Sequence, residues 1–171
     1  EDNMPLTKLN FTGQPTLPHE NLPAGSILQK EVYNFATTGH LYTTSTTSAQ
    51  AGNVQVSITP KKANSKILVE VSTGMSIANQ SYLCWELYQD STPLIEVTNN
   101  YSSSYYYGWV YARFSGSGSS YAPLHAKHIA DAGSTNSRTY KLYHRLYTGS
   151  GTAYTVHAGN YISMIATEIA Q

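Results

Sequence analysis

Six histidines are the residues of this 171-residue chain best suited to proton or metal chemistry. His125 and His128 are the closest pair, but in a strand they point to opposite faces, and only a helical turn would bring them to one ion. No cysteine or close carboxylate cluster completes a tetrahedral set, although a three-fold axis would recruit one histidine from each of three chains. Glycoside cleavage requires two carboxylates flanking one bond. The acids Glu31, Glu70, Glu86, Asp90, Glu96, Asp131 and Glu168 are dispersed. Glu70 and Glu86 are the pair that cross-strand pairing would make adjacent, with an ion-paired or solvated face as the plainer reading. No Gly-x-Ser-x-Gly elbow supplies an acyl-transfer nucleophile. Ser115–Ser120 is glycine-rich but lacks the Lys-Ser/Thr ending and following helix of a phosphate loop. The lone cysteine, Cys84, sits between Leu83 and Trp85 with no basic pair to activate it, and is read as a small buried hydrophobe. The expectation is a non-enzymatic protein with no catalytic residue, no metal site and no cofactor.

Aromatic chemistry is more concentrated. Tyr101 to Phe114 reads as a strand with two unlike faces. Tyr105, Tyr107, Trp109, Tyr111 and Arg113 share one face; Tyr106, Gly108, Val110, Ala112 and Phe114 share the other, which suits a core. Tyr and Trp bury a wide ring while keeping a polar tip, as interfaces and sugar-binding surfaces require. Arg138–Tyr147 repeats the pattern, with Tyr140, Leu142, His144 and Leu146 core-like and Lys141, Tyr143, Arg145 and Tyr147 outward. Tyr105, Tyr107, Tyr111, Tyr143 and Tyr147 are therefore assigned to a subunit interface. The loop residues Asn99, Asn100, Tyr101 and Tyr121 are assigned to ligand contact, because recognition sits on loops held by a rigid scaffold. Trp109 suits either role and is placed with the ligand set.

Composition narrows the partners. Charged residues are 12% of the chain and the formal net charge is zero. That lacks the basic footprint of a nucleic-acid binder and argues against membrane docking by charge. No run reaches the roughly 18 apolar residues of a membrane helix, so neither nucleic acid nor membrane insertion is expected.

The elements that must position these residues are strands. Residues 1–23 hold Pro5, Pro15, Pro18 and Pro23 and read as an extended lead-in; 24–171 read as one domain. Ile27–Phe35 alternates as a first strand, and the Thr-rich His40–Thr47 reads as an edge strand. Asn53–Pro60 points Val54, Val56 and Ile58 inward; Lys66–Ser72 does the same with Ile67, Val69 and Val71. The short polar turn between them predicts a hairpin. Tyr82–Tyr88 groups Leu83, Trp85 and Leu87, and a turn at Gln89–Pro93 continues a meander. Tyr121–Asp131 is ambiguous between strand and helical turn. Ala153–His157 and Asn160–Ile169 close the chain. About ten short strands with frequent turns predict an all-β sandwich.

Several spans taken in order, Pro23–Gln29, Val56–Pro60, Ser65–Val71, Leu87–Pro93, Thr139–Lys141 and Ile165–Ile169, resemble the C-terminal domains of marine bacteriophage tail-fibre proteins. The resemblance covers Pro23 to the end. It implies a homotrimeric jelly roll shaped like tumour-necrosis-factor-like domains, located on the virion, recognising a bacterial surface glycan or other host receptor without a cofactor. The lead-in would then join other virion proteins. The tyrosine-rich centre departs from the family pattern. Capsid or tail decoration without host binding, or a secreted cellular lectin, are the alternative roles.

Overall fold

The computed structural model describes residues 21–36, 39–78, 82–96, 109–113, 119–147, 151–156 and 160–171. Eleven strands are found there: β1 (Ile27–Ala36), β2 (Leu41–Thr43), β3 (Ala49–Ile58), β4 (Lys66–Ala78), β5 (Tyr82–Gln89), β6 (Thr92–Ile95), β7 (Val110–Arg113), β8 (Ser119–Asp131), β9 (Arg138–Leu146), β10 (Ala153–Val156) and β11 (Tyr161–Ile169). They form two antiparallel sheets. The first runs β1-β11-β4-β10-β2, with β8 also paired to β4; the second runs β3-β9-β5-β6, with β7 also paired to β5. The β1-β11-β4-β8 and β3-β9-β5-β7 orders are those of a jelly-roll sandwich.

Period-2 alternation explains the core. β9 alternates without a break, burying Arg138, Tyr140, Leu142, His144 and Leu146. Ile67, Val69 and Val71 of β4, Ile162, Met164 and Ala166 of β11, and Leu83, Trp85 and Leu87 of β5 meet in one buried cluster. Trp85 is the largest fully buried side chain. At about 25 cal/mol per Å² of apolar surface, these facing strands supply the main favourable term. The long candidate at Tyr121–Asp131 is a strand, and it places His125 outward and His128 on the other face.

One expected pairing does not occur. β3 and β4 do not form a hairpin: β3 pairs β9 in the second sheet, and β4 pairs β11, β8 and β10 in the first. Their apolar faces look at each other across the sandwich, and the connection at 59–65 crosses between sheets. A distant carboxylate holds that crossing. Glu168 of β11, fully buried, accepts from the backbone N–H of Lys61 (2.8 Å) and Lys62 (3.0 Å), the Ser65 hydroxyl (2.6 Å) and the Gln29 amide (2.7 Å). Burial alone would raise its pKa, but these four donors hold it below the ordinary value.

The β5–β6 turn falls at Asp90-Ser91, inside the expected Gln89–Pro93 turn, and β6 already begins at Thr92. Asp90 adopts φ 56°, and its carboxylate accepts from the Thr139 N–H at 2.9 Å. Asp tolerates this left-handed conformation better than most residues. The Thr-rich edge strand is present as β2, at the end of the first sheet. The lead-in before residue 21 lies outside the described residues.

Cys84 is buried as expected, although it lies on the face of β5 opposite Leu83 and Trp85. Burial pushes its thiol up to about 12, against a smaller lowering by Arg145. A thiol reagent at about pH 8 should therefore leave the native protein unlabelled and react promptly once denaturant is added. Rapid native labelling would show that this face of β5 opens.

Candidate functional site

The two sheets present unlike outer faces. On the second, Tyr143 stacks on Tyr88 with ring centroids 4.0 Å apart, and Tyr147 meets Tyr82 edge-on at 6.5 Å. Between these pairs the Arg145 guanidinium lies 3.1 Å from the buried Glu86 carboxylate, which also takes a hydrogen bond from Ser48. Tyr143 and Tyr147 are thus half-buried and engaged within the chain. The Tyr111 backbone is paired opposite Cys84 in β7, so β5 stands between it and β9. Trp109 precedes β7 and packs half-buried against the core, as do Val110 and Ala112. The expected separation into a core face and an outward face therefore fails at Trp109, because the residue sits ahead of the strand. Asn99, Asn100, Tyr101, Tyr105 and Tyr107 lie outside the described residues.

The first sheet is different. All six large apolar or aromatic side chains exposed among the described residues, Ile27, Val32, Tyr42, Tyr121, Ile129 and Tyr161, stand on its strands. Alternation accounts for this. In β8 the inward set is Ala122, Leu124, Ala126, His128 and Ala130, which leaves Tyr121, Pro123, His125, Lys127 and Ile129 outward. In β11, inward Ile162, Met164 and Ala166 leave Tyr161 outward at the strand's start.

Pairing register then gathers the tyrosines. Tyr42 of β2 is opposite Tyr154 of β10, Tyr154 is opposite Ser76 of β4, and Ser76 is opposite Tyr121 of β8. One row thus crosses four strands, about 14 Å at ordinary strand spacing. The Tyr42 and Tyr154 rings are 5.8 Å apart, and His40 adds a third ring 4.8 Å from Tyr154. β11 and β10 follow one another along the same side of β4, and the break between them falls at Gly74–Met75.

A cleft of about 950 Å³ opens at that break, lined by Tyr121, Pro123, His125, Asn160, Tyr161 and the β4 backbone around Gly74. Tyr121 is 62% exposed and Tyr161 70%. Their strands flank β4, which sets their backbones about 10 Å apart across the sheet. Gly74 lets the Asn160 amide settle over the strand; a Cβ there would come within 3.2 Å of Nδ2. At the cleft's end, His125 Nδ1 lies 2.7 Å from the Ser72 hydroxyl and Nε2 3.7 Å from Glu70.

Among the described residues no aspartate, glutamate, lysine or arginine lines the cleft. Its chemistry is that of stacking and neutral hydrogen bonding. Among the described residues no group of three or more His, Cys, Asp or Glu is placed to hold a metal ion, and no helix is long and apolar enough to cross a membrane. Of the expected ligand residues the structure brings Tyr121 to the cleft and leaves Trp109 elsewhere. Tyr161, Asn160, Tyr42 and Tyr154 were not expected. The parity of β11 could have flagged Tyr161; the row itself needs the strand register.

No protein-family model matches the chain, and no curated protein sequence matches it. Among solved structures, a chain from the structure of infectious bursal disease virus Gx strain is similar over 84% of this chain, with 13% identity and a TM-score of 0.33. This chain covers only 38% of that one. The fold assignment rests on the strand order.

Proposed function

We propose that this chain is a non-enzymatic attachment module of a phage virion, a homotrimer on a tail fibre that recognises a bacterial surface glycan or other receptor. The observation that carries the reading is the confinement of exposed apolar and aromatic side chains to the outer face of one sheet. Apolar and aromatic side chains gathered on one exposed face serve association or recognition. Its two ends divide the roles. Ile27, Val32 and Ile129, beside half-buried Leu68 and Ile165, form an aliphatic end suited to self-association. The tyrosine row and cleft form an aromatic end suited to a receptor. Self-association through this face, rather than through Tyr143 and Tyr147, leaves the internal Tyr–Tyr stacks of the second sheet undisturbed.

Sedimentation equilibrium tests the assembly: the wild type should have three times the 18.7 kDa chain mass. Val32→Asp with Ile129→Asp should yield monomers with an unchanged circular dichroism spectrum, because both side chains are exposed. A wild-type monomer at micromolar concentration would sink the trimer. Fluorescent protein should label host cells, and Tyr121→Ala should weaken the labelling while Trp109→Ala tests whether the half-buried indole contributes. An unlabelled host would favour virion decoration without host binding.

A further inference from the structure

The geometry points to a neutral oligosaccharide, longer than a single sugar ring, laid across β2, β10, β4 and β8 at right angles to the strands. This deepens the attachment reading and rests on it for the source of the ligand. The row Tyr42–Tyr154–Ser76–Tyr121 is continuous by register, and Ser76 is buried between rings on either side. Ser76, at 1% exposure, makes no ligand contact of its own, so the Tyr154 and Tyr121 rings carry the passage across β4. Rings bind the C–H faces of sugars, and phenol, amide and hydroxyl groups bind their hydroxyls.

The cleft defines one end. Tyr121 and Tyr161 flank a floor of β4 backbone, and the Asn160 amide lies over Gly74. An amide both donates and accepts, so it matches a pair of vicinal hydroxyls. Tyr42 marks the other end, about three strand spacings away. One sugar ring would occupy the cleft alone; only a chain reaches Tyr42.

Charge defines the class. The ionisable groups that face the cleft are His125 and, beyond it, Glu70 and Lys127, which sit opposite one another in the β4–β8 register. Glu70 and Lys127 offset one another, so the described cleft lining holds no unopposed cation to recognise a carboxylated sugar, whereas a neutral chain needs none.

Titration calorimetry and saturation-transfer NMR on the full chain test this with neutral tetrasaccharides of glucose, galactose or mannose, the matching disaccharides, and an oligogalacturonide of equal length. At least one neutral tetrasaccharide should bind more tightly than its disaccharide and than the oligogalacturonide. Tyr121→Ala and Tyr161→Ala should each weaken both lengths about tenfold. Tyr42→Ala should weaken the tetrasaccharide and leave the disaccharide unchanged, and Asn160→Ala should weaken both. Equal loss for the two lengths in Tyr42→Ala would overturn the lengthwise arrangement. Preference for the oligogalacturonide, or no tyrosine-dependent binding of any neutral chain, would overturn the ligand class. Cell labelling that persists in the Tyr121→Ala, Tyr161→Ala double variant would reject this site while leaving the attachment reading intact. Loss of wild-type labelling itself would reject the attachment reading.

Discussion

Glu168→Ala should lower the unfolding free energy by about 3–5 kcal/mol, the cost of leaving several buried donors without their charged partner. The carboxylate receives two backbone N–H groups, one hydroxyl and one side-chain amide, all between 2.6 and 3.0 Å. Those donors belong to β1 and to the crossing that carries the chain from β3 to β4. The crossing gains little from pairing, because β3 and β4 lie in different sheets. Backbone bonds from Ala170 N–H to Ser26 and from Gly25 N–H to Ala170 close the same corner. Glu168→Gln keeps the shape but sets an NH₂ group against N–H donors, so it should cost about 1–3 kcal/mol. Urea unfolding at neutral pH provides the measurement. A loss below about 1 kcal/mol for Glu168→Ala would mean that water replaces the carboxylate and that the crossing holds without it.

The same corner shows where sequence patterning stops being informative. The inward sets of β3 and β4 are legible from Val54, Val56, Ile58 and Ile67, Val69, Val71, because a half-buried strand must alternate. Which strand each one pairs is not legible. A short polar turn suits a hairpin and a sheet-to-sheet crossing equally, and the difference here lies with Glu168, more than a hundred positions away. β9 was fully legible, since its alternation is unbroken and its outward set is aromatic and charged.

Chemistry at the candidate site divides in the same way. Tyr121 stands out as an aromatic beside a Ser/Gly stretch, and it does line the cleft. Tyr42, Tyr154 and Ser76 form a row only because β2, β10 and β4 are neighbours, which no local pattern encodes. Tyr143 and Tyr147 look available for a partner in sequence, yet cross-strand Tyr88 and Tyr82 already engage them. Trp109 breaks its expected alternation because the strand begins one residue later.

Acid should weaken the fold first through His144. Its ring is buried on the core face of β9, and that burial holds its pKa down to about 4 from an ordinary value near 6.5. Nδ1 lies 2.8 Å from the Thr155 hydroxyl, whose oxygen also accepts the Trp85 indole N–H at 3.2 Å. An indole can only donate, so the hydroxyl has its single hydrogen to give to a neutral imidazole. Protonation would turn Nδ1 into a competing donor beside the largest core side chain. The unfolded chain takes up the proton as pH falls through about 6.5, whereas the native state resists until about pH 4. Stability is therefore complete above the upper value, declines across this window and levels off below it, for a total of about 3 kcal/mol. Glu168, held below the ordinary carboxylate pKa, adds a separate loss at lower pH as its carboxylate is protonated. His144→Gln keeps an amide beside Thr155 but cannot titrate. Its unfolding free energy should slope less than the wild type's between about pH 6.5 and 4, the remaining slope coming from His128, whose pKa burial also lowers, and from the onset of the Glu168 limb. Parallel slopes for the two proteins across that window would assign the acid sensitivity to other groups.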